Sequence, residues 1–250
     1  MKNLIFIAFL FIFLTTLNAQ WKVCNHGVRI GYPTCMISDS NNIYYGSSYY
    51  GFYLSTDNGT NWISKNSGFN LTDDYSYQIQ TFAINENNLF TGTCRDGIFL
   101  STDKGNSWIQ KSSGFPLDTD VYNANQFVYS IAIDGNKIYA GTDWGVFLST
   151  NNGDSWIQKN KGLLDTIVTS VAVTGKNIFA GTRWGSIYLS TDNGDNWSIK
   201  NIALGSFVIT IIINGKDIIV GTRDDGLYIS ADNGDSWTHK FNWEIGDMES

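Results

Sequence analysis

Two histidines, two prolines and three cysteines are all that 250 residues hold of these types, and each scarcity argues against a class of function. His26 and His239 stand near no nucleophile motif and Gly-x-Ser-x-Gly does not occur, so Ser- or Cys-based acyl chemistry finds no support. Cys24, Cys35 and Cys94 show no Cys-x-x-Cys spacing, so no metal site is indicated. Their odd number leaves the pairing open; one bridge and one buried thiol is one arrangement. Phosphate-cradling glycine loops are also absent, and no cofactor is implied. No proline-rich or charged linker interrupts the chain, so one domain is expected. Basic side chains are outnumbered, 16 to 23. The net charge of -7 repels phosphate backbones and argues against a nucleic-acid partner.

Only one long apolar run exists. Met1-Lys2-Asn3 precedes eleven apolar residues, Leu4 to Leu14, and then Thr-Thr-Leu-Asn-Ala19-Gln20. A positive start, a short apolar stretch and a small residue before a polar one read as a secretory signal peptide over residues 1–19, cut after Ala19. Eleven residues fall well short of the roughly 20 needed to span a bilayer. No cysteine follows the cut, so a lipid anchor is not indicated. The expectation is an exported domain over residues 20–250 that does not insert in a membrane.

What the chain has in quantity is repetition. The octapeptide Ser-x-Asp-x-Gly-x-x-Trp occurs at Ser55–Trp62, Ser101–Trp108, Ser149–Trp156, Ser190–Trp197 and Ser230–Trp237. Its third position falls at Asp57, Asp103, Asn151, Asp192 and Asp232, in steps of 46, 48, 41 and 40 residues. Such a period marks stacked supersecondary units, with propeller blades the leading candidate. Between octapeptides, β-branched and aromatic runs alternate with Gly/Asn/Asp turns: Tyr-Ser-Ile-Ala-Ile-Asp from Tyr129, Lys-Ile-Tyr-Ala-Gly-Thr from Lys137, Val-Phe-Leu-Ser-Thr from Val146. That is the grammar of a four-stranded meander. First strands are expected near Cys35–Ile37, Thr81–Ile84, Ser130–Ile133, Ser170–Val173 and Thr210–Ile213, and no window carries a helical apolar period.

The octapeptide lies between the third and fourth strands. Its Gly takes a positive φ without a Cβ clash, its Asp accepts N–H bonds from its own turn, and Asn151 can still accept one. The Trp is large enough to fill the wedge between neighbouring sheets, so all five read as structural. The Asp series lacks the several oxygen ligands a calcium loop needs.

These octapeptides resemble the Asp-box (BNR) repeat β-propeller group, whose members include sialidases, xyloglucan-degrading glycosidases, the sortilin ectodomain and photosystem II assembly-factor propellers. The resemblance runs from Trp21 to about Trp243. It implies an all-β fold, a β-propeller of four-stranded antiparallel blades, with the octapeptides on the rim opposite the functional face. Five blades are expected, with part of a larger ring as the alternative. Residues 21–27 match 156–162 at Trp, Asn and Gly, giving six fourth-strand segments for five first strands. An amino-terminal strand clasping the last blade would close the ring.

The second-to-third hairpins form the other rim. They keep a Gly-Thr start and a closing Gly but vary between, and varied loops on a rigid scaffold commonly bind. Candidate ligand-binding residues there are Tyr49, Tyr50, Arg95, Asp96, Asp143, Trp144, Arg183, Trp184, Arg223 and Asp225. The interblade links add Arg29, Tyr32, Asp73, Asp74, Tyr75, Tyr77, Asp118, Asp120, Tyr122, Phe127 and Asp165. The plainer reading is that Trp144 and Trp184 lid the blade tops and Arg223 pairs with Asp225.

The resemblance implies that a sialidase would need an arginine triad, a Tyr nucleophile assisted by Glu, and an Asp acid. Arg29-Ile30 faintly echoes that group's Arg-Ile-Pro. Yet the only glutamates are Glu86, in a turn on the octapeptide rim, and Glu244 and Glu249 in the tail. The expected function is therefore a secreted, non-catalytic module recognising a protein or glycan through its variable-loop face. A glycoside hydrolase using Asp pairs on that face is the alternative.

Overall fold

β-Branched and aromatic runs cut short by Gly and Asn can only form short strands, and they pair with their sequence neighbours. The computed structural model describes residues 26–28, 32–39, 41–69, 79–116, 127–200, 204 and 206–241. Among these residues twenty strands form five four-stranded antiparallel meanders, the blades of a β-propeller. Blade 1 is β1 (Pro33–Ser38), β2 (Ile43–Ser47), β3 (Gly51–Ser55) and β4 (Ile63–Ser64). Blade 2 is β5 (Ile79–Asn85), β6 (Asn88–Thr93), β7 (Ile98–Ser101) and β8 (Ile109–Gln110). Blade 3 is β9 (Val128–Asp134), β10 (Lys137–Thr142), β11 (Gly145–Ser149) and β12 (Ile157–Gln158). Blade 4 is β13 (Val168–Thr174), β14 (Asn177–Thr182), β15 (Ile187–Ser190) and β16 (Ser198–Ile199). Blade 5 is β17 (Val208–Asn214), β18 (Asp217–Thr222), β19 (Leu227–Ser230) and β20 (Thr238–Phe241). Among the described residues no helix is long and apolar enough to cross a membrane. The segments 1–19, 21–25 and 242–250, with Cys24, Glu244 and Glu249, lie outside the described residues, so the leader and the strand clasp are not described. Cys35 is a thiol, which burial pushes up to about 12.

Each octapeptide closes on itself. Ser55 Oγ donates to Asp57 Oδ1 at 2.9 Å while accepting the Gly59 amide at 2.8 Å. Asn61 donates its amide to Asp57 Oδ1 and its side chain to Oδ2. Asn151 takes the same place in blade 3, accepting the Ser155 amide at 3.0 Å, but here its own Nδ2 donates to the Ser155 hydroxyl. In blades 1, 2, 4 and 5 both carboxylate oxygens thus accept from their own turn.

These donors hold Asp192 and Asp232 at about 2, Asn196 being the largest influence on the first and Ser236 on the second. A carboxyl depressed on folding contributes stability above its unfolded value and loses it as pH falls through the folded one. The melting temperature should therefore drop between about pH 4 and pH 2. Asn151→Asp, adding one such carboxylate, should steepen the drop in a pH-scanned thermal melt. A melting point flat down to pH 2 would contradict this account.

The blades are joined by their Trp residues. Trp108 donates Nε1 to the Lys65 carbonyl of blade 1 at 3.1 Å, Trp156 to Lys111 at 2.8 Å and Trp197 to Lys159 at 2.7 Å. Their backbone amides reach the preceding link, at Ser67, Ser113 and Lys161. Trp62 repeats the last bond with His26, so residues 26–28 run along blade 1 where a preceding blade's link would run. Exposed Lys–Asp pairs also cross the junctions, from Lys111 to Asp154, Lys159 to Asp195 and Lys200 to Asp235. Such surface pairs are worth about 0–1 kcal/mol each, so apolar burial dominates.

Each junction has one pattern. Residues on the trailing face of one blade (Ile37, Tyr44 and Phe52 in blade 1) pack on the leading face of the next (Phe82, Phe99 and Trp108 in blade 2). The same scheme joins blades 2 and 3, 3 and 4, and 4 and 5. Successive inner strands pack together from β1 through β5, β9 and β13 to β17, but no comparable contact joins β17 back to β1 among the described residues. Among the described residues the five blades thus form an arc with two open ends.

Candidate functional site

Antiparallel meandering puts the β1–β2 and β3–β4 turns of a blade at one end and its β2–β3 hairpin at the other. Glu86, in the turn between β5 and β6, therefore sits with the octapeptides, lining a small cleft with Asp39 and Lys104. The hairpins form the opposite rim. Their recurrent Thr and Gly hold the turn: the Thr93, Thr142 and Thr222 hydroxyls donate to the carbonyls of Gly97, Gly145 and Gly226. The same hydroxyls accept the amides of Asp96, Trp144 and Asp225. With the frame satisfied internally, the remaining hairpin side chains are free to differ.

A second regular feature lies at the hairpin end of the inner strands. Every inner strand skips one residue in its pairing with the second strand, so Thr34, Gln80, Tyr129, Thr169 and Ile209 sit in β-bulges. A bulge redirects its side chain. Four of these positions carry Thr, Gln or Ile; blade 3 carries Tyr129. Its hydroxyl donates to Asp143 Oδ1 at 2.7 Å, and its ring stacks on Phe127 at 5.5 Å with the planes 8° apart.

Burial pushes the Asp143 carboxyl up, opposed by the Tyr129 hydrogen bond and the Arg183 charge. Burial also raises Tyr129, helped by the Asp143 bond, while Arg183 acts against it. Blades 3 and 4 thus bring Tyr129, Asp143 and Arg183 within electrostatic reach. Trp144 and Trp184 follow Asp143 and Arg183 on the same two hairpins, 43% and 69% exposed. The bulge is the signal that sequence reading missed: Tyr129 is the one aromatic at that repeat position.

The other expected residues disperse around the rim. Tyr49 is exposed, 6.1 Å from Tyr32, whereas Tyr50 packs against the Tyr45, Tyr53 and Trp62 cluster. Arg95 is exposed on the blade 2 hairpin, and the Asp96 carbonyl accepts from Gln110 and Ser112. Arg223 does not pair with Asp225: its guanidinium lies over the Phe207 ring at 4.5 Å. Asp225 instead accepts the Tyr228 hydroxyl, and His239 stacks on that Tyr at 4.6 Å. Asp224 takes the Ser206 hydroxyl. Asp165 accepts the amides of Ile167 and Trp184, which fixes the blade 4 hairpin. Arg29, Asp73, Asp74, Tyr75, Tyr77, Asp118, Asp120 and Tyr122 lie outside the described residues.

No family model and no curated protein matches the chain, but many solved structures do. A GH74 xyloglucanase from Xanthomonas campestris superposes with a TM-score of 0.64 at 15% identity, over 88% of this chain and 39% of that one. An ancestral GH74 enzyme gives 0.62 at 24% identity, over 84% and 31%. YCF48 bound to D1 peptide gives 0.59 at 14% identity, over 83% and 66%. This chain spans less than two thirds of the length of each. Identities this low speak to architecture alone, and that architecture is the β-propeller, which enzymes and peptide-binding proteins share.

Proposed function

We propose that the chain is an exported, non-catalytic binding module of the Asp-box propeller group that holds a protein segment or a glycan on the hairpin rim of blades 3 and 4. The observation that carries this is the Tyr129–Asp143 hydrogen bond beside the Arg183 charge, on two hairpins whose next residues, Trp144 and Trp184, are solvent-exposed indoles. Exposed Trp beside convergent polar groups supplies apolar stacking area plus orienting hydrogen bonds, the usual make-up of a recognition site. A protein of this fold is seen with a bound peptide, which supports the reading. Ligands selected from glycan arrays and peptide libraries should bind Trp184→Ala and Arg183→Ala at least about tenfold more weakly, some 1.4 kcal/mol each. Unchanged affinity in both variants would move the site elsewhere.

One observation favours a hydrolase as the second reading: the raised Asp143 carboxyl is a trait of general acids. Hydrolysis needs a second carboxylate roughly 5–9.5 Å across a cleft, whereas Asp165, Asp224 and Asp225 are engaged by local donors. Reducing-sugar release abolished by Asp143→Asn would establish this alternative.

A further inference from the structure

The two ends of the arc carry the two halves of an interface that the molecule builds four times internally. On the trailing side of blade 5, Ile209 and Ile212 are 54% and 52% exposed, and Ile219, Leu227 and Ile229 are half-buried. The residues that hold the last four of these places in blade 4, Ala172, Phe179, Ile187 and Leu189, are packed on blade 5. On the leading side of blade 1, Met36 is 61% exposed, whereas its equivalents Phe82, Ile131, Val171 and Ile211 are all buried. The outer part of that side is already closed, with Val28 packed on Tyr45, Tyr53 and Trp62. The most exposed of these residues therefore lie on the inner strands at both ends, Ile209 and Ile212 in β17 and Met36 in β1.

Two of the four internal junctions, from blade 3 to 4 and from blade 4 to 5, also make a polar contact. Ser130 Oγ accepts the Val171 amide of the next blade at 3.1 Å, and Ser170 Oγ accepts that of Ile211 at 2.9 Å. Thr210 holds the same place on blade 5, and the amide that would answer it is that of Met36, in the exposed β1.

The geometry points to head-to-tail association of this chain, with the open trailing face of blade 5 in one copy seated on the open leading face of blade 1 in a second copy. Ile212 then covers Met36 as Ile37 covers Phe82, and the Thr210 hydroxyl accepts the Met36 amide. The occupant is another copy because the required surface is the leading face of a blade with its outer edge already closed, and blade 1 presents that surface. Such a heterologous contact leaves one free end on each outer copy, so it builds rings or filaments rather than a closed two-fold pair.

Sedimentation analysis of the full chain over a concentration series tests this without reference to the hairpin rim. Wild type should grow from monomer through dimer to larger species. Ile212→Lys alone and Met36→Lys alone should each remain monomeric. Mixed, they should give a one-to-one dimer and nothing larger, because each keeps one intact end. Both substitutions lie at exposed positions, and unchanged circular dichroism will verify folding. Thr210→Val, which keeps the shape and loses the acceptor, should weaken association in a chain that folds normally. Wild type that stays monomeric throughout would overturn the proposal. So would self-association of Ile212→Lys, which would reveal a pairing of like ends.

Discussion

Trp156→Ala is expected to cost about 3–5 kcal/mol of stability, a fall of about 6–20 °C in melting temperature for a domain of this size. The ring is 4% exposed and sits between Phe115, at 5.3 Å, and the blade 3 sheet. Burying a ring of this kind removes roughly 150–250 Å² from water. Truncation opens a void at the junction of blades 2 and 3 and leaves the Lys111 carbonyl without its indole donor. Surrounding strands cannot collapse into the space, because both sheets are held by their own ladders. Trp184→Ala, by contrast, removes a ring that is mostly in solvent and should change stability by no more than about 0.5 kcal/mol. Calorimetry of the two variants separates scaffold from site. Equal losses would show that the blade-top indoles are structural.

Gly114→Ala should be comparably damaging, at least about 3 kcal/mol. Its φ is 99°, and a Cβ built there would lie 2.2 Å from the carbonyl oxygen of Trp156. The obstacle is backbone on a neighbouring blade, so no side-chain rotation relieves it. Gly68 and Gly162 meet Trp108 and Trp197 in the same way, which makes this close approach a recurring fastener between blades. Gly135→Ala is the control: it too has positive φ, 58°, but nothing lies within 4 Å of the added carbon. It should cost only about 1–2 kcal/mol of backbone strain. Thermal melts of both variants measure the difference, which belongs to the clash; a Gly114 variant no worse than the control would remove the fastener from the account.

The blades were legible because each solves the same problem with the same residues. Ser55, Asp57, Gly59 and Asn61 bond to one another within a single turn, and their counterparts recur along the chain, so local chemistry exposes the repeat. The rim hairpins were legible for the complementary reason: their Thr–Gly frame is internally satisfied, and what varies between is free to serve a ligand. The expected Arg223–Asp225 pair was not formed: Tyr228, three residues on, donates to Asp225, while the Phe207 ring, just before the inner strand, lies under the Arg223 guanidinium, and adjacency of opposite charges shows neither.

By itself, then, the order of residues determined the strand pattern, the octapeptide turns and the division into two rims, all products of contacts within one blade. Tertiary structure alone decided that Tyr129 meets Asp143 beside Arg183, since that meeting needs a bulge in an inner strand and the setting of blade 4 against blade 3. It also decided that, among the described residues, blade 5 does not pack back on blade 1. How far each sheet turns relative to the last depends on side-chain volumes packed across every junction, a sum over neighbours that no single repeat displays.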